Sequence, residues 1–208
     1  MQVYKLTDKN RQTYNNTQWQ INEWHDTDGT GELCGEGWLH FYYSKELALF
    51  LNPIHADIAE PRLFVAEAAG KTKDDNGLKG GCAKLRIVEE IPVVTPTTEQ
   101  RVKFGILCAK VVTTNKAWNK WADAWLDGSD RSEKSAWAAE AAEAAGAAAR
   151  AAAGDAEAAA WAAAWAAAWA ARAARAAAWA AGAAWGAAYA ARTGVKIDLI
   201  KIAKMAME

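Results

Sequence analysis

From position 136 to 192 the chain carries almost no polar residues and almost no large aliphatic ones. It is Ala, broken by Trp, Arg and Gly, as in AAAWAAAWAAAWAARAARAAAWAAGAAWGAAYAAR. Ala is the strongest helix former, and Ala136–Arg192 holds neither Pro nor a β-branched residue, so the pattern predicts long helices. Trp161, Trp165 and Trp169 recur every four residues and share a broad face with Arg172, Arg175 and Trp179, while Trp185 and Tyr189 fall well round from it. Gly182 and Gly186, spaced i, i+4, mark a place where another backbone can approach closely. Stops and starts are legible too. Gly128 closes a preceding helix, Asp130 with Glu133 has capping-box spacing, Gly154–Asp155 repeats the signal, and Gly194 is the last stop. An unbroken helix over 156–191 would be roughly 54 Å long, more than the ~30 Å of a small domain, so it must protrude, pair or break near Gly182. An Ala face buries little apolar area, so the indoles have to supply it, and the tract reads as a helical hairpin or bundle sealed by Trp.

The patterning ahead of the tract has other periods. Val3 to Leu6 predicts a strand, followed by a turn at Thr7–Asn10; residues 15–36 are polar and Gly-rich, a long loop. Trp38 to Tyr43 is strand-like, Ser44 caps a short helix that Pro53 ends, and Arg62–Ala68 and Lys84–Ile91 give two more strands around the solvated turn TKDDNGLKGG. Pro96 and a capping box at Thr97–Gln100 open a helix whose Val102, Ile106, Leu107, Ala109 and Val111 would bury against the sheet. Ala117, Trp118, Trp121, Ala122, Trp125 and Leu126 form an amphipathic stripe on the next helix, a hinge between the parts of the core. The terminal VKIDLIKIAKMAME favours a helix with Lys196, Lys201 and Lys204 on its polar side. The expected fold is α+β: a mostly antiparallel head over 1–95, amphipathic connecting helices over 96–128, and an Ala/Trp-rich helical region over 129–208.

Composition narrows the setting. The net charge of −1 gives no electrostatic reason to expect nucleic acid or an anionic membrane as partner. The uncharged runs 158–171 and 176–191 are shorter than a membrane span needs, and MQVYKLTDKN has no apolar run of the signal-peptide kind. Three widely spaced Cys fit a reducing compartment better than a disulfide framework, which points to the cytoplasm.

Together the stretches TQW at 17–19, GELCGEGWLH at 31–40, FLNPIHA at 50–56, PRLF at 61–64 and TTEQRV at 97–102 resemble an uncharacterised family of phage and prophage proteins, in which such an N-terminal domain is joined to an Ala-rich tail. The resemblance covers about the first 130 residues and implies a phage or bacterial cytosolic context, without an activity.

Candidate chemistry lies in the head. Cys34 and His40, with His55 or Cys82, match no tight zinc spacing, and a Cys34 nucleophile with His40 as base would need an orienting acid such as Glu32 or Glu67, so buried structural roles are favoured and no metal or cofactor is expected. GWLHFYYSKELALFLN faintly resembles a segment of ADP-ribosyltransferases, which would make His40, Tyr42 or Tyr43, and Glu67 the candidates; the separate His-bearing strand and the Glu-x-Glu pair of that family are missing. Arg172 and Arg175 are too few for a groove that tracks a nucleic-acid backbone, and the tract lacks the spaced Thr of ice-binding helices. The reading is an interaction protein, with a protein partner or self-association through the Ala/Trp helices; the alternative is a small-ligand-binding or ADP-ribosyltransferase-like head on a helical scaffold. Any ligand site is expected around Trp19, Trp38, His40 and Arg62, beside the Gly-rich loop 26–37.

Overall fold

The computed structural model describes residues 1–152, 165, 167–170 and 180–208, the side chains of 144–152, 180, 181 and 183 excepted. The expected turn at Gly154–Asp155, and Trp161, Arg172, Arg175 and Trp179, lie outside the described residues. The fold is α+β, with an antiparallel sheet in the first of two compact units, Met1–Thr95, and helices in the second, Pro96–Glu208.

In the first unit β1 (Gln2–Thr7), β6 (Arg62–Asp74) and β7 (Gly80–Ile91) are neighbours in one antiparallel sheet. Between β1 and β6 in sequence come the short strands β2 (Gln12–Thr13), β3 (Thr17–Gln18), β4 (His25–Asp26) and β5 (Leu39–Phe41), then the helix α1 (Lys45–His55). β2 and β3 pair with each other around an exposed turn, whereas β4 and β5 both pair with β7. β5 also continues into Tyr42, which exchanges two backbone hydrogen bonds with Tyr4 of β1, at 2.9 and 2.8 Å. β1, β6, β7 and β5 therefore close into a ring, and a ring has no long unpaired edge. Val3, Phe41, Phe64, Ala66, Ala68, Cys82, Leu85 and Ile87 form the apolar cluster of that sheet, joined by Trp19 from the loop after β3.

The β6–β7 hairpin is longer than the sequence reading made it. Both strands run into the polar stretch, and only Asp75–Leu78 turns, with Asn76 and Gly77 at φ of +49° and +77°, the left-handed pair that twisted hairpins select. Gly70, at φ +76°, sits in an irregularity between Ala69 and Thr72 that accommodates an extra residue in β6. Ser44 caps α1, its Oγ accepting from Leu47 N at 3.1 Å. The helix passes through Pro53 instead of stopping at it. Asn52 secures the far end: its carbonyl accepts from Ala56 and Asp57, and its side chain exchanges two hydrogen bonds with Ile58.

The second unit is built on α2 (Thr98–Val112), whose full capping box has Thr97 and Gln100 each accepting from the other's backbone N–H. Its buried Val102, Phe104, Ile106, Cys108 and Ala109 face α5 (Ala180–Ala191) and α6 (Leu199–Met207), helices of the same unit, where the sequence pointed to the sheet. Val111 is exposed. α3 (Lys116–Leu126) buries Trp118, Trp121, Ala122 and Trp125 of the stripe, leaves Ala117 exposed and Leu126 half-buried, and packs on α4 (Glu133–Ala152). Ser132, not Asp130, caps α4: its Oγ accepts from Ser135 N at 3.2 Å, and Asp130 accepts from Ser132 N at 2.9 Å.

The Ala tract is not one straight helix. Trp165 and Tyr189 stack with ring centroids 5.8 Å apart, whereas 24 residues of continuous helix would separate them by roughly 36 Å. A Cβ on Gly182 would lie 3.1 Å from Trp169 Cε3, so Gly182 is a contact point inside α5 and not a break. Among the described residues, no helix is long and apolar enough to cross a membrane.

Candidate functional site

The four residues singled out from sequence have different roles. Trp19 is core: 1% exposed, its indole N–H donates to Thr13 Oγ1 at 2.9 Å, and its ring lies 4.3 Å from that of His25. Arg62 stands at one end of the sheet, paired with Glu90 through two nitrogens and donating to the Lys9 carbonyl at 3.3 Å. Trp38 and His40 are at the other end, where β5 lies across from Gly80–Cys82. Along the β6–β7 hairpin Arg62 and His40 lie far apart, but the ring also links them through β1, where Thr7 pairs with Arg62 and Lys5 donates to the His40 carbonyl. Trp38 and His40 hold the same loop, Trp19 reaches His40 through Lys5, which contacts both, and Arg62 is engaged by Glu90 and Lys9 instead.

What Trp38 and His40 share is loop 26–37. Trp38 donates its indole N–H to Gly31 O at 3.2 Å, and His40 Nε2 is hydrogen bonded to Leu33 O. Lys73 donates to Gly31 O at 3.1 Å, and Lys79 approaches Cys34 Sγ at 3.3 Å. Inside the loop Asp28 accepts from the backbone and hydroxyl of Thr30, and Gly29 N donates to Gly37 O at 3.1 Å. The attachment needs bare backbone. A Cβ on Gly80 would overlap the Phe41 ring, and one on Gly81 would come within 3.0 Å of Trp38 Cβ. The Gly-rich segment is thus a strapped-down loop held by two aromatic anchors and two lysines.

Sequence reading missed the group behind it. Lys5 alternates inward with Val3 on β1; its Nζ donates to His40 O at 2.8 Å and lies 4.8 Å over the Trp19 ring. Burial lowers its pKa to about 8, and the same burial pushes the neighbouring Cys82 thiol up to about 11. A Lys at an inward position of a short strand was the available signal. His40 is held below the usual imidazole range by burial, against the pull of its bond to Leu33 and helped by Lys5 and Lys79. His55 on α1 stacks on Tyr42 at 5.9 Å, and burial, with Lys79 and His40 nearby, lowers it to about 4.

The ADP-ribosyltransferase-type set does not converge. Glu67 accepts from Arg86 Nε at 2.8 Å and is ion-paired with the same guanidinium at 2.6 Å, and it lies across from Gln2 and Arg86 on its neighbouring strands, whereas His40 lies across from Gly81. Tyr42 is buried, and Tyr43 donates its hydroxyl to Asp74 at 2.7 Å. Cys34 is exposed and Cys82 buried, and no group of three or more His, Cys, Asp or Glu that could hold a metal ion occurs among the described residues.

The second unit presents a different surface. Trp137, Trp165 and Trp185 are 56%, 39% and 41% exposed, and Trp165 and Trp185 both pack on Tyr189, over which the Arg192 guanidinium lies at 5.8 Å.

Comparison with known families finds that residues 1–96 match the model of a domain of unknown function, DUF7666. No curated protein and no solved structure matches the chain. The expected likeness to an uncharacterised family therefore holds for the sheet unit.

Proposed function

We propose that this chain is an interaction protein: the N-terminal domain is carried on a helical unit that binds a protein partner or a second copy through its Ala/Trp helices. The observation that carries the reading is the exposure of Trp137, Trp165 and Trp185 in a helical unit that buries the tryptophans of α3, Trp118, Trp121 and Trp125. Indoles are costly to leave in water and are enriched where proteins meet. The head supports the same reading, because its chemistry-bearing residues serve the fold: Trp19 fills the core, Trp38 and His40 hold a loop, and Arg62 is ion-paired. The sequence resemblance supports a phage or prophage setting within a bacterial cytoplasm.

Light scattering across a concentration series tests self-association. The triple variant Trp137→Gln, Trp165→Gln, Trp185→Gln should shift the protein towards monomer while keeping its helical circular dichroism. A wild-type monomer at all concentrations, with no protein captured from a bacterial lysate that the triple variant fails to capture, would overturn the reading.

A further inference from the structure

We propose that Cys34 and Lys79 form an oxidation-driven covalent cross-link that fastens loop 26–37 to the β6–β7 hairpin, a modification site independent of the interaction surface described above. The two side chains are 45 residues apart in sequence, yet Sγ and Nζ lie 3.3 Å from each other. Their backbones are held in place separately. Leu33, next to Cys34, is bonded to the His40 ring, and Lys79 O accepts from Asp75 N at 3.0 Å to close the hairpin turn. Cys34 is exposed and so open to a small oxidant, while Cys82 and Cys108 are both buried and cannot meet it without unfolding. An oxidised Cys34 therefore has no thiol to resolve it within the folded chain. The nucleophile beside it is the Lys79 amine.

The chemistry balances with hydrogen peroxide as the only oxidant. The Cys34 sulfur attacks one peroxide oxygen and the O–O bond breaks, giving a sulfenic acid and one water. Lys79, after releasing its ammonium proton to solvent, directs its lone pair at that sulfur. An S–N bond forms as the S–OH bond breaks, and the hydroxide leaves as water with the second amine proton. Sulfur has lost two electrons, peroxide has gained them, and two waters are the by-products. A thiol reductant reverses the step by attacking the same sulfur and releasing the amine, so the link is reducible. The strap at Gly31 and Leu33 keeps the two atoms in register throughout, which is the condition that makes an intramolecular closure faster than further oxidation.

The test exposes the full-length protein to hydrogen peroxide, digests it and maps the peptides by mass spectrometry, in parallel with Cys34→Ser and Lys79→Arg. Cys34 is exposed and Lys79 half-buried, and circular dichroism verifies the folds of both variants. The expected result is one species in which the peptides bearing Cys34 and Lys79 are joined with the loss of two hydrogens, separated again by dithiothreitol and absent from both variants. In Lys79→Arg, Cys34 should instead run on to sulfinic acid. Sulfinic acid at Cys34 in the wild type at the rate seen in Lys79→Arg overturns the proposal, as does a disulfide between two copies through Cys34, or an unmodified Cys34.

Discussion

Lys5 concentrates the tension in the head into one atom. Its ammonium is buried beside Trp19 and Cys82 with the His40 carbonyl as its hydrogen-bond acceptor, and its pKa falls from 10.5 to about 8. Between those two values the unfolded chain holds the proton that the folded chain has lost, so stability rises with pH across that window and the charged form is disfavoured below it. Lys5→Met should therefore stabilise the protein at pH 7, by on the order of 3 kcal/mol at most, and remove the rise between pH 8 and 10.5. Denaturant unfolding at three pH values measures both effects; loss of stability would mean that the bond to His40 O outweighs the cost of burying the charge. His55 works in the acid range. Its pKa is lowered from 6.5 to about 4, so the stability that its neutral form contributes is complete above 6.5 and is lost as pH falls towards 4. In His55→Phe the dependence between those values should flatten, and the same unfolding series from pH 4 to 7 shows whether it does. Gly182 is a matter of space. Ala there sets a helix-propensity gain of about 1 kcal/mol against a tight approach to Trp169, but Leu has no such balance and should cost ~1–3 kcal/mol. A thermal melt in which Gly182→Leu matches or exceeds the wild type would show that Trp169 gives way.

At the scale of elements, Gln100 matters more than its place in a capping box indicates. Its Oε1 accepts from Thr97 N at 2.9 Å, while its Nε2 donates to Met207 O at 2.7 Å, tying the start of α2 to the end of α6. Gln100→Ala should cost about 1–2 kcal/mol and, unlike Thr97→Ala, should also speed amide exchange in α6, which hydrogen-exchange mass spectrometry resolves by segment. The box itself was legible, because Thr-x-x-Gln is a local pattern with a local partner. So were the α3 stripe, the Asn76–Gly77 turn region and the capping of α1, each settled within a few residues. Strand lengths were not legible. Polar residues such as Lys71 and Thr72 can stay exposed on a paired strand, and period alone does not separate that from a loop. Nor was the packing of α2 on α5, since an Ala face carries no signature of what it meets. In the candidate site, the residue types were legible and their convergence was not. Trp38 and His40 are neighbours in sequence and hold the same loop, whereas the link from Trp19 to His40 runs through Lys5 on another strand.

At the scale of the whole molecule, the sheet closes through Tyr4 and Tyr42, which join β1 to β5, and through β1 on β6, which joins the first strand to the last two. Gln2 pairs with Glu67, and the strand beside β6 is completed only when Ile91 is in place opposite Leu63. On a ribosome adding ~5–20 residues per second, β1 leaves the exit tunnel several seconds before β6 exists to receive it. During that interval Val3 and Leu6, both buried in the finished fold, have no partner strand. The β6–β7 hairpin is local, but the pairings of β1 are not, and pairing at such separations is slow as well as late. The helical unit meets the opposite timetable, with α2 and α3 able to form as they emerge. Local helices thus arrive just as the sheet before them first becomes able to close.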